Sequence, residues 1–142
     1  MESTFLAGKV IKRSLPLIRG PAGTDAPRLK RLLLPQGELA QFYDSEEGIR
    51  YMALVELYPG RNRGNHYHEF KEELIYVFDG KTQLLVEDID TKSHASLSIA
   101  RGDLIIIPTR IAHALQPTEP GRAIEFSKAR FAPNDIFPYP LV

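Results

Sequence analysis

Glycine and proline punctuate this chain along its whole length, 10 and 11 of them among 142 residues. That spacing is the strongest limit on its fold, because each breaker ends a helix before it can gain cooperative length. Between the breakers lie short runs of strand formers. Ile49–Tyr58 stops at Pro59-Gly60, and Glu73–Phe78 stops at Asp79-Gly80, a pair typical of hairpin turns. Lys81–Ile89, Ser96–Ala100, Leu104–Ile107, Ala112–Gln116 and Arg122–Arg130 follow. Arg28–Leu34 is the best helix candidate, but Pro27 and Pro35 bracket it tightly and a strand fits it at least as well. Many short strands separated by frequent turns are the mark of an all-β sandwich or closed barrel.

Nothing divides the chain. We expect one domain over 1–142, with a barrel core at about 28–131 and terminal extensions packed on it. Leu15–Pro27 reads as a loop. Ala132–Val142 carries three prolines and cannot pair as a central strand, but its Ile136, Phe137, Tyr139 and Leu141 should hold it across the barrel.

Charge and composition exclude several functions. Lys+Arg and Asp+Glu are both 18, so no basic excess exists for a nucleic-acid backbone. No uncharged apolar run approaches the roughly 18 residues of a membrane span, and Lys9, Lys12, Arg13 and Arg19 break any leader-like stretch. A cytoplasmic protein is expected. With no cysteine, thiolate metal sites and cysteine nucleophiles are both impossible.

The chemistry rests on histidine. His66 and His68 are two apart, so on a strand both imidazoles face the same way. Glu73 opens the next strand with a carboxylate, and His113 heads another strand with a third imidazole. Three nitrogens and one hard oxygen suit one divalent transition ion, Zn, Fe, Mn, Ni or Cu. Glu72 is the competing carboxylate. The fourth histidine, His94, lies in a polar loop and reads as surface.

The spacing Gly60, His66, His68, Glu73, Gly80 and then Gly102, Pro108, His113 resembles the two motifs of the cupin superfamily. The first motif is matched in full. The second departs at Arg110, where the family favours Gly, and at Pro117, where it often has Asn. An Arg conflicts with the Gly-type backbone expected just before His113. The resemblance implies a cupin-type double-stranded β-helix, a jelly-roll barrel, with His66, His68, Glu73 and His113 as metal ligands near one mouth. Counting back from Gly80 selects Glu73 over Glu72. The stretch Arg63–His68 is also similar to cupin domains attached to capsule and nucleotide-sugar enzymes.

These features together lead us to expect a metal-dependent enzyme acting on a small polar metabolite, a sugar or a keto or carboxylic acid, by isomerase, epimerase or oxygenase-type chemistry. The alternative is a non-catalytic cupin that binds a small ligand or sugar around a structural metal. Arg61, Arg63, Asn65 and Arg110 lie on turns beside the ligands and are the candidate substrate contacts. If Glu73, Ile75 and Val77 face inward, Leu74, Tyr76 and Phe78 face outward and need cover, so a homodimer is expected.

Overall fold

Side chains alternate between buried and exposed along Tyr51–Leu57 and His94–Ala100, the period-two pattern of strands with one wet face. The computed structural model describes all 142 residues. Its strands are β1 (Glu2–Phe5), β2 (Val10–Ser14), β3 (Leu17–Arg19), β4 (Lys30–Leu34), β5 (Gly37–Gln41) and β6 (Tyr51–Leu57). They continue as β7 (Arg63–Tyr67), β8 (Glu73–Asp88), β9 (His94–Ala100), β10 (Asp103–Ile107), β11 (Ile111–Ser127) and β12 (Phe137–Pro138). The one helical element is the short 3-10 turn Pro133–Asp135. No helix is long and apolar enough to cross a membrane.

The main sheet runs β1-β2-β10-β8-β11-β7-β12, with β9 added to β8 and β6 added to β11. It closes on itself because β8 and β11 are long and shared. The first half of β8 pairs with β10 and with the second half of β11, and its second half pairs with β9 and the first half of β11. This is the jelly-roll barrel. Residues before 28 take part in it, since β2 pairs with β10 and Val10 is fully buried.

Two expected strand breaks are corrected. Asp79-Gly80 is not a hairpin turn, and Ala112–Gln116 and Arg122–Arg130 are not separate strands. Glu73–Asp88 and Ile111–Ser127 are continuous, and each bends where they cross. Gly80 takes a φ of +81° there, and the register between the strands shifts on either side of Gly121. The glycines therefore mark a barrel corner, where two backbones touch, instead of a chain reversal. The segment Leu15–Pro27 is also less irregular than expected, because β3 lies within it and pairs parallel to β4.

Side chains from alternate positions build two cores. Ile75, Val77, Leu84, Ile105, Ile107 and Ile111 belong to the one inside the barrel. Leu74, Tyr76, Leu104 and Phe126 point outward and pack with Leu15, Leu29, Phe42 and Tyr43. Phe42 stacks on Tyr76 with ring centroids 4.3 Å apart. Burying each such side chain contributes about 1.5–3 kcal/mol, which holds the β3-β4-β5 sheet and its flanks against the barrel wall. The outward face of β8 thus draws its cover from this chain's own residues.

Candidate functional site

β7 and the first half of β11 run antiparallel, with His66 directly opposite His113. The ladder there shifts register between His113 and Ala114, and Gly64 takes a φ of +85°. A Cβ on Gly64 would stand 2.7 Å from the His113 carbonyl oxygen, so the close approach of these strands depends on glycine. His68 follows just beyond β7. Ring centroids of His66 lie 4.8 Å from both His68 and His113. One nitrogen from each ring falls within 4.8 Å of the others, a spacing that can hold one ion.

The rings are oriented from behind. His68 Nδ1 donates to the Asp135 carbonyl oxygen at 2.7 Å, and His113 Nδ1 donates to the Ile111 carbonyl oxygen at 3.1 Å. Both Nε2 atoms are buried without a hydrogen-bond partner. Buried polar atoms are nearly always satisfied, so two unpartnered nitrogens within one histidine cluster fit a metal.

Glu73 is buried and places Oε2 2.9 Å from His113 Nε2, without hydrogen-bond geometry. It stands beside the histidine trio and touches it through His113. Glu72 lies away from the trio, lining a cavity with Phe42, Leu74 and Lys128. Burial alone would raise the Glu73 carboxyl, but His113 and Lys71 beside it outweigh burial and hold it well below the usual range. Burial likewise favours neutral His113, and Glu73 reverses this and raises it.

Sequence reasoning missed the groups around Glu73. Lys71 is buried, with Nζ 3.3 Å from Glu73 and 3.7 Å from Glu125, and it lies 4.6 Å above the Tyr51 ring. Burial, with Glu73 nearby, pushes the Glu125 carboxyl up. Lys71 looks like any solvated charge in the run Lys71-Glu72-Glu73, and no local signal separates it. The alternation of β11 did offer one for Glu125, which lies two residues from inward Ala123.

The four expected substrate contacts are placed differently from one another. Arg61 and Arg63 are exposed, and Arg63 Nε donates to the Glu56 carbonyl at 3.0 Å. Asn65, with a φ of +58°, accepts the Leu141 and Val142 N–H groups at its Oδ1 and so pins the tail. Arg110 does adopt the Gly-type conformation, with a φ of +62°. It is anchored by Glu69 at 2.7 Å and Asp90 at 2.5 Å. The turn before His113 therefore forms despite the Arg, its strain offset by those ion pairs. His94 is exposed, as expected.

The tail completes the site from outside. Phe137 stacks on Tyr67, and β12 pairs with the free edge of β7. Buried Asp135 accepts from the Glu69 N–H at 2.7 Å and the Phe70 N–H at 3.2 Å. Asp135→Ala should remove the acceptor from both donors and destabilise the protein by roughly 1–3 kcal/mol in urea titration, the cost of one buried unsatisfied group, since Phe70 is exposed. Asp135→Asn should recover much of this.

Burial, then the charges of His113 and His68, push His66 down to about 4. An unfolded histidine titrates near 6.5. As pH falls from about 6.5 towards 4, the unfolded chain therefore gains a proton that folded His66 refuses, and stability falls. In metal-free protein the urea midpoint should drop more steeply across this window than in His66→Gln. Equal slopes would remove His66 as the cause.

The family model described as "Polysaccharide biosynthesis C-terminal domain" matches residues 35–129. A search of curated proteins found no match to the sequence. Among solved structures, a 3,4-ketoisomerase from Helicobacter canadensis aligns with a TM-score of 0.68 at 15% identity, over 78% of this chain and 86% of that one. The dTDP-6-deoxy-D-glucose-3,5-epimerase RmlC from Legionella pneumophila aligns at 0.74 and 12% identity, over 97% and 76%. The capsular polysaccharide assembling protein CapF from Staphylococcus aureus aligns at 0.61 and 19%, over 83% of this chain and 34% of that one. At such identities the likeness establishes the barrel fold and nothing finer.

Proposed function

This chain belongs to the polysaccharide biosynthesis C-terminal domain family, and from that premise we propose that it is a metal-dependent enzyme that isomerises or epimerises a nucleotide-linked keto sugar. The observation that carries the reading is the pair of buried, unpartnered Nε2 atoms of His68 and His113, with His66 beside them. Similar folds include sugar ketoisomerases and 3,5-epimerases, one of them in complex with dTDP-4-keto-L-rhamnose.

Both reactions move a proton on a carbon beside a carbonyl. A divalent ion, when bound by His66, His68 and His113, would supply positive charge for the enolate oxygen. The chain's own groups handle the proton. Glu125, its carboxyl raised by burial and by Glu73, is placed to hold the proton. Lys71 lies within 4 Å of both Glu125 and Glu73 and reduces the repulsion between their carboxylates. The apolar barrel wall, Ile75 and Val77 included, excludes water and strengthens these charges.

A second reading rests on the 2.9 Å contact between His113 and Glu73. With Nδ1 on the Ile111 carbonyl, Nε2 is the nitrogen left to take a proton, and the Glu73 carboxylate beside it favours the protonated ring, so His113 can act as a general base on its own. Incubation with dTDP-4-keto-L-rhamnose and other nucleotide-linked keto sugars in D2O separates the two. Deuterium should enter a ring carbon, and chelation should stop it. Wash-in that survives chelation would move the reading to the His113–Glu73 base. If no keto sugar exchanges with metal-loaded protein, the proposed activity is wrong.

A further inference from the structure

The main sheet has an open edge at β6, which pairs with β11 on one side and with no strand on the other. We propose that two copies of the chain join there, β6 of one running antiparallel to β6 of the other about a two-fold axis. The inference uses no residue of the histidine site.

An open strand edge is a row of unpaired backbone groups, and proteins that stay single blunt such edges. The other edges of this sheet are blunted. β12 is two residues long and ends in Pro138. β1 is four residues long, and its Glu2 is tied to Arg13 across the hairpin at 2.8 Å. At β9, Lys12 Nζ donates to the Ser98 carbonyl at 2.8 Å. β6 is seven residues long, with no Pro, Gly or Lys and a single charge, Glu56. Arg63 reaches the Glu56 carbonyl near one end, and the middle of the strand is left open.

The outward face of β6 is apolar as well. Met52 is 58% exposed and Leu54 61%. Phe42 and Tyr43 pack on Phe126, which lies opposite Met52 on β11. Their cover stops there and leaves a groove of about 450 Å³ beside Met52. The chain thus covers its own β8 and β11 from outside but not its β6. A second copy in line with β6 would set Met52 and Leu54 of both chains side by side, as one apolar strip between the two covers.

Charge selects the register. Residues directly opposite one another share a face, so outward Arg50, Met52, Leu54 and Glu56 meet outward partners. With the axis at Ala53, Arg50 faces Glu56 and Met52 faces Leu54, each twice. An axis at Met52 would put Arg50 opposite Leu54 and Glu56 opposite Gly48. An axis at Leu54 would put Arg50 opposite Tyr58 and Glu56 opposite Met52. Only the axis at Ala53 pairs both charges with their opposites, and opposite charges across a ladder stabilise it. The groups are open to this. Arg50 is exposed, and Glu56 accepts from the Tyr58 hydroxyl at Oε2 alone. On the inner face Tyr51 would meet Val55 and Ala53 its own copy, so no charge is buried there.

Sedimentation equilibrium of the full chain at micromolar concentration should give twice 16.0 kDa. Leu54→Lys changes an exposed side chain, so the far-ultraviolet spectrum should stay that of the folded protein while the mass falls to that of one chain. Arg50→Glu sets two like-charge pairs across the axis and should weaken the dimer by about tenfold. Arg50→Glu combined with Glu56→Arg should restore it. Ala53→Cys places the only cysteine opposite its own copy, with Cα atoms about 4.5–5.5 Å apart, within reach of a disulfide. Oxidation should link the two chains. A single chain at every concentration up to hundreds of micromolar would overturn the proposal, as would a dimer indifferent to Leu54→Lys. A dimer that the double charge reversal fails to restore, or that Ala53→Cys fails to link, would overturn the register.

Discussion

His66→Ala should cut divalent-ion affinity by at least about 100-fold and take keto-sugar exchange with it, while the barrel stays folded. The size follows from what weaker changes do elsewhere, since removing a group that only orients a ligand costs about 10–100-fold. Losing one of three nitrogens costs at least as much. His66 is the best of the three to change because it is half-buried, whereas His68 and His113 are nearly closed off. Its ring is also not needed to satisfy a backbone carbonyl, as theirs are. Metal analysis of untagged protein after dialysis, with a melting curve as the folding control, reads both halves of the expectation. A variant that keeps its ion would place the metal elsewhere. A variant that loses the ion but keeps deuterium exchange would favour the metal-free base.

The histidine trio was legible because its information is local. Two imidazoles two residues apart, at the end of β7 and just beyond it, come together through local backbone geometry, and His113 was found through its distance from Gly102 and Pro108. Strand composition was legible for the same reason. The bent strands were not. Asp79-Gly80 carries the chemistry of a turn, and only the partner strand, with Gly121 against it, shows that the glycine is needed for contact. Arg110 misled in the same way. Its positive φ is supported by Glu69 and Asp90, 41 and 20 residues away. Lys71, Glu125 and Asp135 escaped because their meaning lies in burial and cross-strand partners, which no window of sequence holds.

The corner also yields a large stability effect from a single methyl group. At Gly80, an added Cβ would lie 2.5 Å from the Pro120 carbonyl oxygen and 2.6 Å from Gly121 Cα. Both are backbone, so neither can swing aside. Gly80→Ala should therefore suffer twice, by about 1–2 kcal/mol for an L-residue at a φ of +81° and by about 1–3 kcal/mol for the overlap. Together that lowers the melting point by roughly 10 °C in a chain of this size. Gly60 provides the control, because its φ is +79° and nothing lies within 4 Å of its Cβ position. Gly60→Ala should show the backbone cost alone, and the difference between the variants measures how tightly β8 and β11 touch. The same corner carries the site, since β8 holds Glu73 before the bend and β11 holds His113 before its own. If the strands part to admit the methyl, the 2.9 Å approach of Glu73 to His113 should loosen as well. Folded Gly80→Ala should then bind metal less tightly than folded Gly60→Ala. Equal melting points for the two would mean that the strands do not meet at Gly80 as closely as described.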